Sequence, residues 1–136
     1  MPEAVIVSVA RTPIGRAFKG SLKDLRPDDL AAFAVQAALD KIPALDPTTI
    51  EDLYLGNGQP AGEAGFNMAK VVNTLLGLDT VPGATVNRYC SSSVQTTRMA
   101  FHAIKAGEGD IFVSAGVEAV SRFANGMADV DAPRTR

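Results

Sequence analysis

The chain is poor in the residues that build most metal centres and disulfide scaffolds. Its 136 residues include one cysteine, one histidine and no tryptophan. A single cysteine excludes an intramolecular disulfide, and one histidine beside it makes no Cys/His cluster to hold zinc. Charge of either sign is in small excess at most: 13 Lys+Arg against 15 Asp+Glu give a formal net charge of −2. That balance offers no attraction for nucleic acid or an anionic membrane as a partner. No apolar run approaches the 18 residues of a membrane span, and no basic segment leading into an apolar one opens the chain. Internal repeats and low-complexity segments are lacking too. A soluble protein of a reducing, cytoplasmic compartment is expected. What remains, 46% hydrophobic and 21% charged residues, is ordinary for a globular domain long enough to bury a real core.

The one cysteine occupies a distinctive place. Val81-Pro82-Gly83-Ala84-Thr85-Val86 gives a short extended run, and Asn87-Arg88-Tyr89 a polar corner that leads to Cys90. After it Val94, Thr97, Phe101 and Ile104 recur at helical spacing, and Gly107 ends the pattern as a C′ glycine would. Ser91, Ser92 and Ser93 suit the first turn, where hydroxyls cap free N–H groups. The thiol is therefore expected at the positive end of a helix, where thiolates and oxyanions are both stabilised. A lone cysteine is more often a small buried hydrophobe. The strand–corner–helix order is what makes Cys90 a candidate covalent nucleophile.

From the start of the chain, Ala4 to Ala10 is β-branched and apolar on both faces, which predicts a strand in a covered sheet. Arg11 to Gly15 breaks it; the two arginines of Arg11–Arg16 read as a solvated loop before an anion grip. Pro27 suits the first position of a helix that runs on through Leu30 to Lys41. Leu30, Ala34, Ala37 and Ala38 form its apolar stripe, broadened by Phe33 and Leu39. Asp46 to Thr49 predicts a cap and a short turn, and Ile50 to Gly56 a second strand. Asn57 to Gly65 is a glycine-containing loop that lacks the Gly-Lys-Ser/Thr of a phosphate cradle. Phe66 to Leu76 predicts a second helix with Met68, Val71, Val72 and Leu75 facing inward, and Asp110 to Gly116 a fourth strand. Strand–helix alternation of this kind predicts an α/β fold with a mainly parallel sheet and right-handed crossovers. The helix after Cys90, apolar on several sides near its end, reads as one sandwiched between layers. Asn125-Gly126 predicts a turn, after which the pattern fades.

Four stretches together resemble the N-terminal half of the thiolase family, the acetyl-CoA acyltransferases. Val9-Ala10-Arg11-Thr12-Pro13-Ile14-Gly15 is similar to the family's opening strand and turn, and Leu53-Tyr54-Leu55-Gly56-Asn57 to its second strand. Val86-Asn87-Arg88-Tyr89-Cys90 resembles the V-N-x-x-C nucleophile corner. Ala103 to Gly107 with Asp110 to Ser114, then Gly116-Val117-Glu118-Ala119-Val120-Ser121, resembles the strand that ends in G-x-E-x-x-S. The resemblance implies a thiolase-like N-terminal domain over residues 1–124, one half of a duplicated layered fold. Residues 125–136 would be the start of an insertion or loop region, cut short at Arg136. It also implies that Cys90 is the acyl-accepting residue that attacks a 3-ketoacyl-CoA, with its own N–H as an oxyanion donor. Coenzyme A thioesters would be substrates, with no bound cofactor and no metal. Fatty-acid β-oxidation is one setting for such a reaction. A homodimer or homotetramer is implied, with Gly83 to Arg88 at the subunit contact.

Two features depart from the family's pattern. Ser91-Ser92-Ser93 follows the cysteine where thiolases carry a small-residue run containing glycine. C-S-S-S is instead similar to the ketoacyl synthases, so a condensing enzyme of that kind is the alternative. Asn87-Arg88-Tyr89 and the early position of Cys90 favour the thiolase. Family members are also longer, and their second half supplies an Asn motif, a G-H-P histidine base and a second cysteine, none of which occurs here. His102 is no substitute: it lies twelve positions after Cys90, roughly 18 Å along one helix at about 1.5 Å per residue. The expectation is an N-terminal piece of a thiolase, inactive by itself. A non-catalytic binding or dimerisation module is the reading from a different class.

Overall fold

The computed structural model describes residues 3–124 and 127–128. Its centre is a three-stranded parallel sheet of β1 (Asp52–Gly56), β2 (Gly83–Val86) and β3 (Phe112–Gly116), in the order β2-β1-β3. The register pairs Leu53 with Gly83 on one side and with Val113 on the other, and it brings Gly56 opposite Gly116. Three helices complete the layers: α1 (Pro27–Leu39), α2 (Met68–Leu75) and α3 (Ser92–Ala106). The strand–helix alternation read from the sequence thus yields the α/β arrangement expected of it. Short 3-10 turns lie at Pro47–Thr49, Gly62–Ala64 and Val120–Arg122. The two-residue strands β4 (Phe123–Ala124) and β5 (Met127–Ala128) pair antiparallel. The turn expected at Asn125-Gly126 lies outside the described residues, as does most of the expected insertion at 125–136.

The pleat decides which layer each strand residue meets. Leu53 and Leu55, essentially without solvent exposure, face α1 and α2 and join Ala31, Ala32, Val35, Met68, Ala69 and Val72 in the main core. Burying a leucine or valine side chain in this way is worth about 1.5–3 kcal/mol. The alternate residues face α3 on the other side, where the Ser114 hydroxyl meets the Thr96 and Thr97 hydroxyls at 2.9 and 3.0 Å.

Both helices of the core layer are turned from the expected faces. In α1 the buried stripe is Asp28, Ala31, Ala32 and Val35, while Phe33 is exposed. In α2 it is Met68, Ala69, Val72 and Asn73, with Val71 half-buried and Leu75 exposed. Each buried stripe includes a polar residue with a partner. Asn73 sends its amide to Val81 O and Pro82 O at 3.1 and 2.8 Å, and so fixes the chain entering β2. Asp28 takes a two-pronged ion pair from Arg26, which holds the guanidinium further into its charged form. Arg26 reaches on to Glu63, whose other partner is Arg122, so α1 is tied to two of the 3-10 turns. Helix α2 also begins later than predicted. Phe66 and Asn67 have φ of 51° and 53°, and those left-handed values cannot belong to a right-handed helix.

Residues 4–10 form no strand, which corrects the first expected element. Val5, Ile6, Val7 and Val9 are all more than two-thirds exposed. Their β-branched composition favours extended backbone, but a strand also needs an edge to pair with, and among the described residues none is adjacent. A cavity of about 870 Å³ separates the segment from β3. The Ser8 hydroxyl tethers it to Ala38 O at 2.7 Å, and Lys41 Nζ donates to Val9 O at 2.6 Å. Helix α3 packs on β1 and β3, while Val94 and Phe101 are exposed, so the second layer expected over it is not among the described residues.

Candidate active site

The corner between β2 and α3 carries Cys90. Backbone geometry there is tightly determined. Asn87 Oδ1 accepts the Tyr89 N–H at 2.9 Å, an Asx turn that stabilises a tight reversal. Tyr89 has φ of 48°, a left-handed conformation that costs a non-glycine residue about 1–2 kcal/mol. The Ser91 N–H donates to Arg88 O at 3.1 Å and the Ser92 N–H to Tyr89 O at 3.0 Å. Cys90 follows the strained residue directly, is free and is exposed. It lies two residues before the first residue of α3, as the sequence predicted.

The serines serve the corner in a different way from the one expected. Ser91 is the N-cap residue but makes no side-chain cap. The buried Ser92 hydroxyl instead accepts the Arg88 N–H at 2.8 Å and donates to Tyr89 O at 2.6 Å. The N–H groups of Ser91 and Ser92 are therefore already engaged by the corner. Arg88 folds back along the helix to Gln95 Oε1 at 2.8 Å.

A pair of glycines seats the helix start. A Cβ on Gly56 would come within 2.7 Å of the Ser92 carbonyl carbon and of the Ser93 nitrogen, and one on Gly116 would overlap the Ser93 hydroxyl. The C-terminal ends of two neighbouring strands thus form a side-chain-free floor on which the first turn of α3 rests. Sequence reasoning missed this floor. The available signal was a glycine closing each apolar run, which marks close backbone approach.

Beside the corner the chain leaving β1 meets the chain leaving β3. Asn57, 1% exposed, donates its backbone N–H to Val86 O at 3.0 Å and its amide to Val117 O at 3.0 Å. The Gly58 N–H donates to Glu118 Oε2 at 2.8 Å. Gly58 faces the Tyr89 carbonyl, which a Cβ there would approach to 3.5 Å. His102 projects exposed from the far part of α3, beside the Phe101 ring. The structure does not bring it to Cys90. Among the described residues no group of three or more metal-ligating side chains occurs, and no helix is long and apolar enough to cross a membrane.

Residues 4–135 match the family model described as the thiolase N-terminal domain. A 3-ketoacyl-CoA thiolase of Bacillus subtilis is 46% identical over 123 residues, which are 90% of this chain and 31% of the relative. A beta-ketoadipyl-CoA thiolase of Pseudomonas knackmussii is 43% identical over 130 residues, covering 93% and 32%. The crystal structure of the Bacillus anthracis acetyl-CoA acetyltransferase superposes with a TM-score of 0.77 at 32% identity, over 91% of this chain and 30% of that one. The chain spans about a third of the length of the curated relatives it matches.

Proposed function

The chain belongs to the thiolase family, and from that premise we propose that it is the nucleophile-bearing part of an acetyl-CoA C-acyltransferase with Cys90 as the acyl carrier. The Cys90 thiolate adds to the 3-keto carbon of a 3-ketoacyl-CoA. The bond between C2 and C3 breaks, the acyl group stays on sulfur, and the two-carbon fragment leaves as acetyl-CoA once its carbanion is protonated. The thiolate of a second coenzyme A then takes the acyl group and frees the cysteine. In reverse the same steps join two acyl-CoA molecules.

The observation that carries this reading is the exposed Cys90 at the end of a strained corner, directly ahead of the α3 N-terminus. A buried structural cysteine needs neither the exposure nor the strain, and such strain collects at functional sites. The Cys90 N–H, at the same corner, is the proposed donor to the oxyanion formed on attack. Relatives include both 3-ketoacyl-CoA and beta-ketoadipyl-CoA thiolases, so the acyl group is proposed only as that of a 3-ketoacyl-CoA. The test is to incubate the full-length protein with acetoacetyl-CoA, quench, and map the acetyl adduct by peptide mass spectrometry. A thioester on Cys90, lost in Cys90→Ala together with turnover, is expected. An adduct elsewhere, or full activity in Cys90→Ala, overturns the assignment.

A further inference from the structure

We propose that Glu118 is a positioning residue for the Cys90 corner, acting through Asn57 and Gly58; the proposal rests on reading Cys90 as the nucleophile. Glu118 lies two residues beyond β3. Its Oε2 accepts the Gly58 N–H at 2.8 Å, and its Oε1 faces the Asn57 amide at 3.4 Å. The second partner of that amide is Val117 O. Both groups facing the amide are acceptors, so its nitrogen must point at them and the side chain has one orientation. Asn57 thereby joins the exit of β1 to the exit of β3, while its own N–H holds Val86 O. Val86 is the last residue of β2, and the corner begins at the next residue.

Gly58 transmits the constraint. The point where its Cβ would stand is 2.9 Å from Glu118 Oε2 and 3.5 Å from both the carbon and the oxygen of the Tyr89 carbonyl. That carbon is bonded to the Cys90 nitrogen. The carboxylate and the peptide group that carries the proposed oxyanion donor thus flank the same side of Gly58. Tyr89, at φ 48°, is the residue that would relax if the chain at Asn57 and Gly58 shifted, because a sparsely populated conformation persists only where its surroundings over-determine it.

The residue type matters as much as the place. Two donors face the two oxygens of Glu118, and a carboxylate presents an acceptor to each. Glutamine keeps the length but presents one donor, so one contact becomes N–H against N–H. Aspartate keeps the charge but falls one methylene short. Glu118 is itself exposed, so replacing it removes little from the core.

The experiment uses the full-length protein with acetoacetyl-CoA and coenzyme A, and compares Glu118→Gln, Gly58→Ala and Cys90→Ala. Misplacing a reacting group by about 1 Å costs on the order of 100-fold in rate. We expect Glu118→Gln to lose roughly 10- to 100-fold in kcat, with KM changed less than about threefold. The single-turnover rate of acyl transfer to Cys90 should fall by the same factor, and the urea midpoint should stay within error. Gly58→Ala, whose methyl carbon would stand 2.9 Å from Glu118 Oε2 and so displace the carboxylate, should show the same split. A kcat within twofold of the parent in both variants overturns the proposal, as does a loss of kcat that follows only the fraction of protein folded. Turnover surviving in Cys90→Ala removes the nucleophile and this proposal with it. An inactive Cys90→Ala beside a fully active Glu118→Gln leaves the nucleophile standing and sinks the positioning role alone.

Discussion

Gly56→Ala is the substitution that tests most directly how the site is built. The new methyl carbon would stand 2.7 Å from the Ser92 carbonyl carbon and the Ser93 nitrogen, about 0.8 Å inside the ~3.5 Å at which carbon atoms pack. Both atoms belong to the backbone of the α3 first turn, so no rotamer change can relieve the overlap. The helix start must move by most of that distance, or β1 must. Overpacking of this kind costs about 1–3 kcal/mol. With a urea m-value of about 2 kcal/mol/M, the midpoint should fall by roughly 0.5–1.5 M. The rate of Cys90 acylation should fall further than stability does, toward 100-fold, because the displaced turn follows directly on the nucleophile. Gly116→Ala is the internal control. Its Cβ meets the Ser93 hydroxyl, a group that can rotate or be deleted, and then stands 3.1 Å from Ser93 Cβ. Ser93→Ala should therefore restore much of the stability lost in Gly116→Ala and none of that lost in Gly56→Ala. Gly56→Ala with a parental urea midpoint and an acylation rate within twofold refutes the glycine floor. So does equal rescue of the two alanines by Ser93→Ala.

Three further outcomes are expected. Asp52 lies partly buried with its Oδ1 lacking a hydrogen-bond partner among the described residues, and burial raises its carboxyl above the usual range. A raised carboxylate pKa makes the folded state hold its proton longer than the unfolded one, so stability is lost as pH climbs from about 4 through the folded value; Asp52→Asn should raise the melting temperature at pH 7 but not below pH 4, and a gain independent of pH counts against it. We propose that the open edge of β2 meets a second copy of the protein; Thr85 itself caps α2 through the Ala69 N–H at 3.0 Å, so Ala84→Lys is the cleaner probe, and an unchanged sedimentation coefficient in the full-length protein refutes the contact. The 136-residue chain by itself should give no thiolytic turnover, since its one histidine is far from Cys90 and general acid–base help is worth about 10² to 10⁴; turnover equal to that of the full-length protein would show that a base near Cys90 has been overlooked.

The sequence made the local parts of this site readable because their signals are themselves local. Gly107 at φ 76° closes α3 where a left-handed residue was expected. Asp46 accepts the Thr48 hydroxyl at 2.7 Å and the Thr48 N–H at 2.9 Å to cap the predicted turn, and those bonds, the hydroxyl's first, hold its carboxyl below the usual range. The Asn87 Asx turn and the placement of Cys90 follow from a handful of adjacent residues. The helix faces were legible only in part. Hydrophobic periodicity assigns polar residues to the outside, whereas Asp28 is buried against Arg26 at the cap of its own helix and Asn73 against the chain entering β2. Glu118, sixty residues from Gly58, acts on the corner only once the sheet has brought β1 and β3 into register.

Residues 4–10 show why a correct propensity can still give a wrong element. Val5, Ile6, Val7 and Val9 carry the composition of a strand covered on both faces, and their backbone is neither helical nor turned. What they lack is a neighbour. A strand is defined by a ladder with a second segment, and no pattern within seven residues encodes where that segment is. Among the described residues β3 pairs on one edge only, with β1. In a parallel ladder alternate residues point their N–H and C=O groups to opposite sides, so half of those on β3 face the cavity that residues 4–10 also line. Unpaired edges and exposed valines are liabilities that folded proteins cover. Both sides of the cavity therefore have the character of strands, and neither reaches the other across 870 Å³. The sequence reading was right about the chemistry of this segment and wrong about its structure, because the deciding quantity is a distance between two parts of the molecule.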